Sequence, residues 1–190
     1  MDLAEALRRR RMVRHYTGAP VAPDALDRIV AAGLSAPSAG WAQGIAIVVV
    51  TDPMRIAAIA AACGEAQRVE RGFDPWLSTA GAHLVICLEP AVYRTRYSAP
   101  DKDPGVLEAI PWWWVDGGTA LMAMLLTAVA EGLAAGVQGG HRAAPIRPLL
   151  GIPDDVVLLG IVTVGHPAPD RRSSSLEAGP RPGRVHRERW

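Results

Sequence analysis

The chain has 190 residues, 49% hydrophobic and 21% charged, with a formal net charge of +1. That length suits one folding unit spanning residues 1–190, and the near-zero charge excludes a protein that binds polyanions through bulk charge. The longest apolar stretch, residues 119–130, falls short of an uninterrupted membrane span, and Met1-Asp2-Leu3-Ala4-Glu5 does not read as a secretory signal, so a soluble cytoplasmic protein is expected, with no membrane partner.

Residues 2–11 are predicted to form a short helix, with Leu3, Ala6, Leu7 and Arg10 on one face. Pro23, suited to a first helical position, opens an amphipathic helix carrying Leu26, Ile29, Val30, Gly33 and Leu34, which stops before Ala36-Pro37-Ser38-Ala39-Gly40. The aliphatic run 45–50 reads as a buried strand, and Asp52-Pro53 caps a third helix through about Ala62. Residues 83–88 give a second strand. Residues 90–111, rich in Pro, Tyr and charge, read as a long surface excursion. The most apolar helix is expected over residues 119–133, ending near Gly136, and a helix apolar nearly all round lies in a core or between subunits. A Gly-rich loop, residues 138–142, then leads to a short helix at 146–150 and a third strand at 156–164. Strands separated by helices favour an α+β or three-layer arrangement. The tail 171–190 carries six Arg against Glu177 and Glu188 and cannot build a core of its own.

Cys63 and Cys87 sit in apolar surroundings and read as buried thiols; Lys102 is the only lysine. No GxGxxG, GxxxxGK[ST] or GxSxG is present, and no His, Cys, Asp and Glu set has metal-site spacing, so neither a metal nor a catalytic side chain is assigned. The densest charge feature is Arg8-Arg9-Arg10-Arg11 followed by Arg14. It reads either as a solvated helix end or as a phosphate site, since guanidinium forks match phosphate oxygens in pairs. Nucleic acid is disfavoured by the missing binding motif.

The order of these pieces resembles the nitroreductase family. Arg10-Arg11-Met12-Val13-Arg14-His15-Tyr16 is similar to the family's RRSVRxF/Y, and Ala36-Pro37-Ser38-Ala39-Gly40-Trp41-Ala42-Gln43 to its APSAGNxQPW. Gly132-Leu133, Leu150-Gly151-Ile152-Pro153 and Val164-Gly165-His166-Pro167 continue the likeness. The resemblance implies an α+β, three-layer fold: a central, mostly antiparallel sheet flanked by helices, in a homodimer holding FMN between subunits. It implies that Arg10, Arg11, Met12 (through its backbone), Arg14 and the late Arg181 meet the FMN phosphate and ribityl chain. It places Pro37, Ser38, Ala39 and Gln43 against the isoalloxazine ring, and Gln138, Gly139 and Gly140 near its reactive edge. Met12 stands where the pattern has Ser, Trp41 where it has Asn, and Gly44 where it has Pro. The implied activity is a ping-pong transfer from NAD(P)H through flavin to a nitroaromatic, quinone or enone. Two other readings stay open: a flavin-holding sensor without turnover, and a flavin-free partner- or nucleic-acid-binding domain using the Arg clusters.

Overall fold

Residues 1–169, 179 and 183–190 are described by a computed structural model of the chain. Helix α1 (Leu3–Arg9) starts at Asp2, whose carboxylate accepts the Glu5 N–H at 2.7 Å, and ends two residues before the expected Arg11. The reason lies beyond the helix. The Val13 N–H donates to the Ala135 carbonyl at 2.9 Å, drawing residues 10–16 into extended backbone beside a strand. Helix α2 (Pro23–Leu34) begins at its proline as expected. Strand β1 (Ile45–Val50) follows, and Asp52 caps α3 (Pro53–Ala62) by accepting the Met54 and Arg55 N–H groups at 2.7 and 3.2 Å. A further short helix, α4 (Glu65–Glu70), precedes β2 (Ala82–Leu88).

The stretch 90–111 is not the loop expected of it. It holds α5 (Pro90–Tyr97), because Tyr93 and Tyr97 turn inward and supply an apolar side that the charged residues conceal, and the short α6 (Gly105–Ala109), which buries no residue. The long helix α7 (Trp112–Ala130) starts at the tryptophan run and stops earlier than expected, and residues 134–139 form strand β3 (Ala134–Gly139) rather than helix tail and loop. Gly140–Ala143 is one helical turn, Arg147–Leu150 another, and β4 (Val157–Gly165) completes the sheet.

The four strands run in the order β1-β2-β4-β3, all antiparallel. Strand β2 is buried along its whole length and so reads as a continuous apolar run. On one face, Leu84, Ile86, Leu88, Val162 and Val164 pack with Leu26 and Ile29 of α2 and Met124, Leu125 and Ala128 of α7. On the other, Val85, Cys87, Leu158 and Ile161 pack with Ile56 and Ile59 of α3 and with Ala143, Ile146 and Ile152. Each buried Leu or Ile contributes about 1.5–3 kcal/mol. The result is helix, sheet, helix: the three-layer α+β arrangement. By length and composition alone α7 could cross a membrane, but its Met124, Leu125 and Ala128 are buried against α2 and the sheet.

Strand β4 is bulged: Ile86 faces Gly160 while Cys87 faces Leu158. The extra residue switches side-chain phase, so Leu159 and Val162 pack toward the same helical layer despite an odd spacing. At Gly160 a Cβ would collide with the Gln138 carbonyl, and at Gly140 with the Leu158 carbonyl. Those two glycines let the end of β3 lie directly on β4.

Candidate functional site

Arg14 extends from the segment that runs beside β3, and its guanidinium carbon lies 5.2 Å from the Trp76 ring centroid. Arg68, on α4, lies 6.0 Å from the same ring and 5.7 Å from that of Phe73. Arg142 follows Gly140 in the helical turn after β3. Arg68 feels the other two: burial lowers its pKa, and Arg142 and then Arg14 lower it further, against an opposing pull from Glu65. None of the three forms an ion pair among the described residues. Neighbouring guanidiniums outside any ion pair suit an anion with several oxygens.

The floor of this cluster is fixed from below. Glu65 is buried at the start of α4, and its carboxylate accepts the N–H groups of Trp76 at 2.7 Å, Leu77 at 2.6 Å and Ser78 at 3.3 Å. The Leu77 carbonyl is 2.9 Å from Nε2 of buried His83, whose pKa is lowered by burial, against the raising effects of that bond and of Glu65. A neutral imidazole donating from Nε2 satisfies this arrangement.

The remaining expected residues divide. Arg10 is half-buried and its N–H returns to the Ala6 carbonyl. Arg11, with Arg9, lines a cavity of about 370 Å³ beside Val129, Leu133 and Ala134, a different place from the Arg14 cluster. Met12 is exposed. Gln138 is buried near the end of β3, with Gly139 and Gly140 following it into the turn that carries Arg142. Arg181 lies outside the described residues.

Pro37, Ser38, Ala39 and Gln43 belong to the segment entering β1, and it is held tightly. Oδ2 of buried Asp116 on α7 accepts both the Ala39 N–H and the Tyr93 hydroxyl, each at 2.8 Å. Burial pushes the Tyr93 hydroxyl well above its ordinary pKa, and the bond to Asp116 pushes it further. Arg96 donates from Nε to the Gly40 carbonyl at 2.7 Å while its other nitrogens grip Asp101 at 2.9 and 2.7 Å. Ser38 Oγ accepts the Gln43 N–H at 3.0 Å. Within this braced turn Trp41 and Gln43 take left-handed φ values of 59° and 58°, and the Trp41 side chain stands out with the residue 72% exposed. Left-handed backbone at bulky residues persists only where surroundings impose it.

Arg14 lies toward the far end of the sheet, next to Val13 on Ala135, whereas the turn after β3 and the 37–43 turn lie at the same end, since Ile45 pairs with Leu88, Leu88 with Val157, and Gly139 with Gly160. They sit on opposite edges. Three strand spacings, roughly 14 Å, separate β1 from β3.

Arg68, Arg142, Glu65 and Asp116 were not among the residues expected from the sequence. Arg68 and Arg142 carry no local signal, because only the packing of α4 and the post-β3 turn brings them to Arg14. Asp116 precedes the helix expected over residues 119–133, and only the start of α7 at Trp112 brings it inside an apolar helix.

Comparison with known proteins is consistent with this frame. The model of the nitroreductase family matches residues 7–166. A protein of Vibrio harveyi named NADPH-flavin oxidoreductase is 30% identical over 165 residues, which cover 86% of this chain but 65% of that protein. A Thermus thermophilus protein named NADH dehydrogenase is 30% identical over 180 residues, covering 88% of each. Among solved structures, the Vibrio harveyi NADPH:FMN oxidoreductase complexed with NAD+ matches with a TM-score of 0.69 at 24% identity, over 98% of this chain and 77% of that one; this likeness is one of fold.

Proposed function

The chain belongs to the nitroreductase family, and on that premise we propose that it is a homodimeric, FMN-dependent NAD(P)H oxidoreductase serving a small planar acceptor. The observation that carries this reading is the approach of Arg14 and Arg68 to one indole, neither in an ion pair among the described residues, with Arg142 within electrostatic reach of Arg68. A phosphate monoester, or the electron-rich edge of a flavin, fits such a donor set. Arg14, Arg68, Arg142 and the backbone of residues 138–140 would hold the cofactor from one subunit, with Arg10 close by in sequence. Pro37, Ser38, Ala39 and Gln43 would meet the ring from the other, which accords with the two sets lying on opposite sheet edges.

A second copy has a surface to use. Leu3 and Leu7 of α1 and Trp114, Val115 and Met122 of α7 are exposed apolar residues. Their number on two elements exceeds the scattered single residues normal on a monomer.

Bound FMN supplies hydride chemistry, taking hydride from NAD(P)H and passing electrons to an acceptor, so an acid–base triad is not required. The chain's own tasks are narrower. Its arginines hold the anionic cofactor and favour the negative charge that reduction adds. Its braced 37–43 turn fixes one wall, against which nicotinamide and acceptor take turns in a ping-pong order. Nitroaromatics, quinones and enones are the acceptor classes that suit such a slot.

The test is direct. Purified protein should be yellow, or become so with added FMN, and should oxidise NADH or NADPH steadily when a quinone is supplied. Arg14→Ala should weaken FMN binding at least tenfold, the worth of one charge-assisted hydrogen bond of about 1.5–3 kcal/mol. Colourless protein that takes up no FMN refutes the reading, and colour without turnover reduces it to a flavin-binding protein.

A further inference from the structure

Arg14 and Arg68 approach one indole, at 5.2 and 6.0 Å from the Trp76 centroid, although like charges repel and both side chains are long enough to swing into solvent. Trp76 is only 3% exposed, and its indole N–H has no partner among the described residues. An aliphatic side chain would fill this part of the core without leaving a buried donor unmatched. What an indole adds is a π face that attracts guanidinium, more strongly where water is excluded. The backbone that carries the ring is held by Glu65, which accepts the N–H groups of Trp76 and the next two residues, and the ring itself is enclosed by the core. Glu65 also attracts Arg68 through space.

We propose that Trp76 is a positioning residue for the anion site: its indole, on backbone held by Glu65, keeps Arg14 and Arg68 side by side. The site then meets its ligand with two forks already gathered, so binding does not have to order them. This assignment rests on the FMN reading above and adds to it a device that acts before the cofactor arrives.

The test is a double-mutant cycle read as the Kd of flavin-stripped full-length protein for FMN, followed by flavin fluorescence. Trp76→Leu should weaken binding about tenfold, and Trp76→Phe, which keeps a π face, should stay within about threefold of the parent. In an Arg14→Ala, Arg68→Ala background, Trp76→Leu should change the Kd by less than twofold, because the cations it positions are gone. A merely structural tryptophan would give losses that multiply in that background, and such a result overturns the proposal. So does Trp76→Phe proving as damaging as Trp76→Leu. If Trp76→Leu yields no soluble protein, Trp76→Met takes its place in the same cycle with the same expected outcomes. Parent protein that binds no FMN sinks the cofactor reading itself, whereas normal parent binding with multiplying losses sinks only the role of Trp76.

Discussion

Removing the Asp116 carboxylate should loosen the 37–43 turn and destabilise the protein by an amount the structure lets one work out. Its Oδ2 is the acceptor for two donors, the partly buried Ala39 N–H and the hydroxyl of fully buried Tyr93. In Asp116→Ala both donors lose their partner, at about 1–3 kcal/mol each. Relief from burying a carboxylate offsets part of this, leaving a net loss of about 2–4 kcal/mol. For a chain of this size that lowers Tm by roughly 5–15 °C. Asp116→Asn keeps an oxygen in place and should cost about 1 kcal/mol, as should Tyr93→Phe, which removes one donor rather than the acceptor. Urea denaturation followed by circular dichroism measures the stability, and FMN titration of the same variants measures the turn. Asp116→Ala with an unchanged urea midpoint would refute the reasoning, since two buried donors would then have been left unpaired at no cost.

Two other outcomes are expected. Trp41→Asn should raise stability by about 0.5–1 kcal/mol, because Asn tolerates the left-handed backbone that Trp41 adopts at φ 59° and the largely exposed indole gives up little packing; a lower Tm would contradict this. His83 has its pKa lowered from 6.5 in the fold, so above pH 6.5 it is neutral in both states and stability is full. As pH falls below 6.5 the unfolded chain takes up a proton that the folded chain refuses, and stability declines. Urea midpoints at pH 7.5 and pH 5 should show this slope, and His83→Gln should flatten it.

Much of the fold could be read from local signals. The runs at 45–50 and 83–88 are aliphatic and short, Asp52-Pro53 is an unambiguous helix start, and the long apolar helix was visible in outline. Strand β3 was hidden, since Ala-Ala-Gly-Val-Gln-Gly has almost no β-forming side chains; it is a strand because β4 and Val13 supply partners on both sides. Helix α5 was hidden for the opposite reason, its charge masking two inward tyrosines. At the site, Arg14 was legible as part of a motif, yet the neighbouring Arg11 faces another cavity, a distinction that depends on which way extended backbone turns each side chain. Arg68 joins Arg14 across 54 residues of chain, and no periodicity encodes that meeting.

The contact of Gly140 and Gly160 with opposing carbonyls has a consequence for anyone wishing to change what this protein accepts. At the end of β3, backbone rests on backbone, and any added carbon would pry the sheet apart. Neither glycine can be replaced without moving the strands. The opposite wall presents Trp41, exposed on a turn whose braces run through Asp116 and Arg96 rather than through the indole. If the proposed site is right, a library of variants belongs at position 41, with Gly140 and Gly160 left untouched.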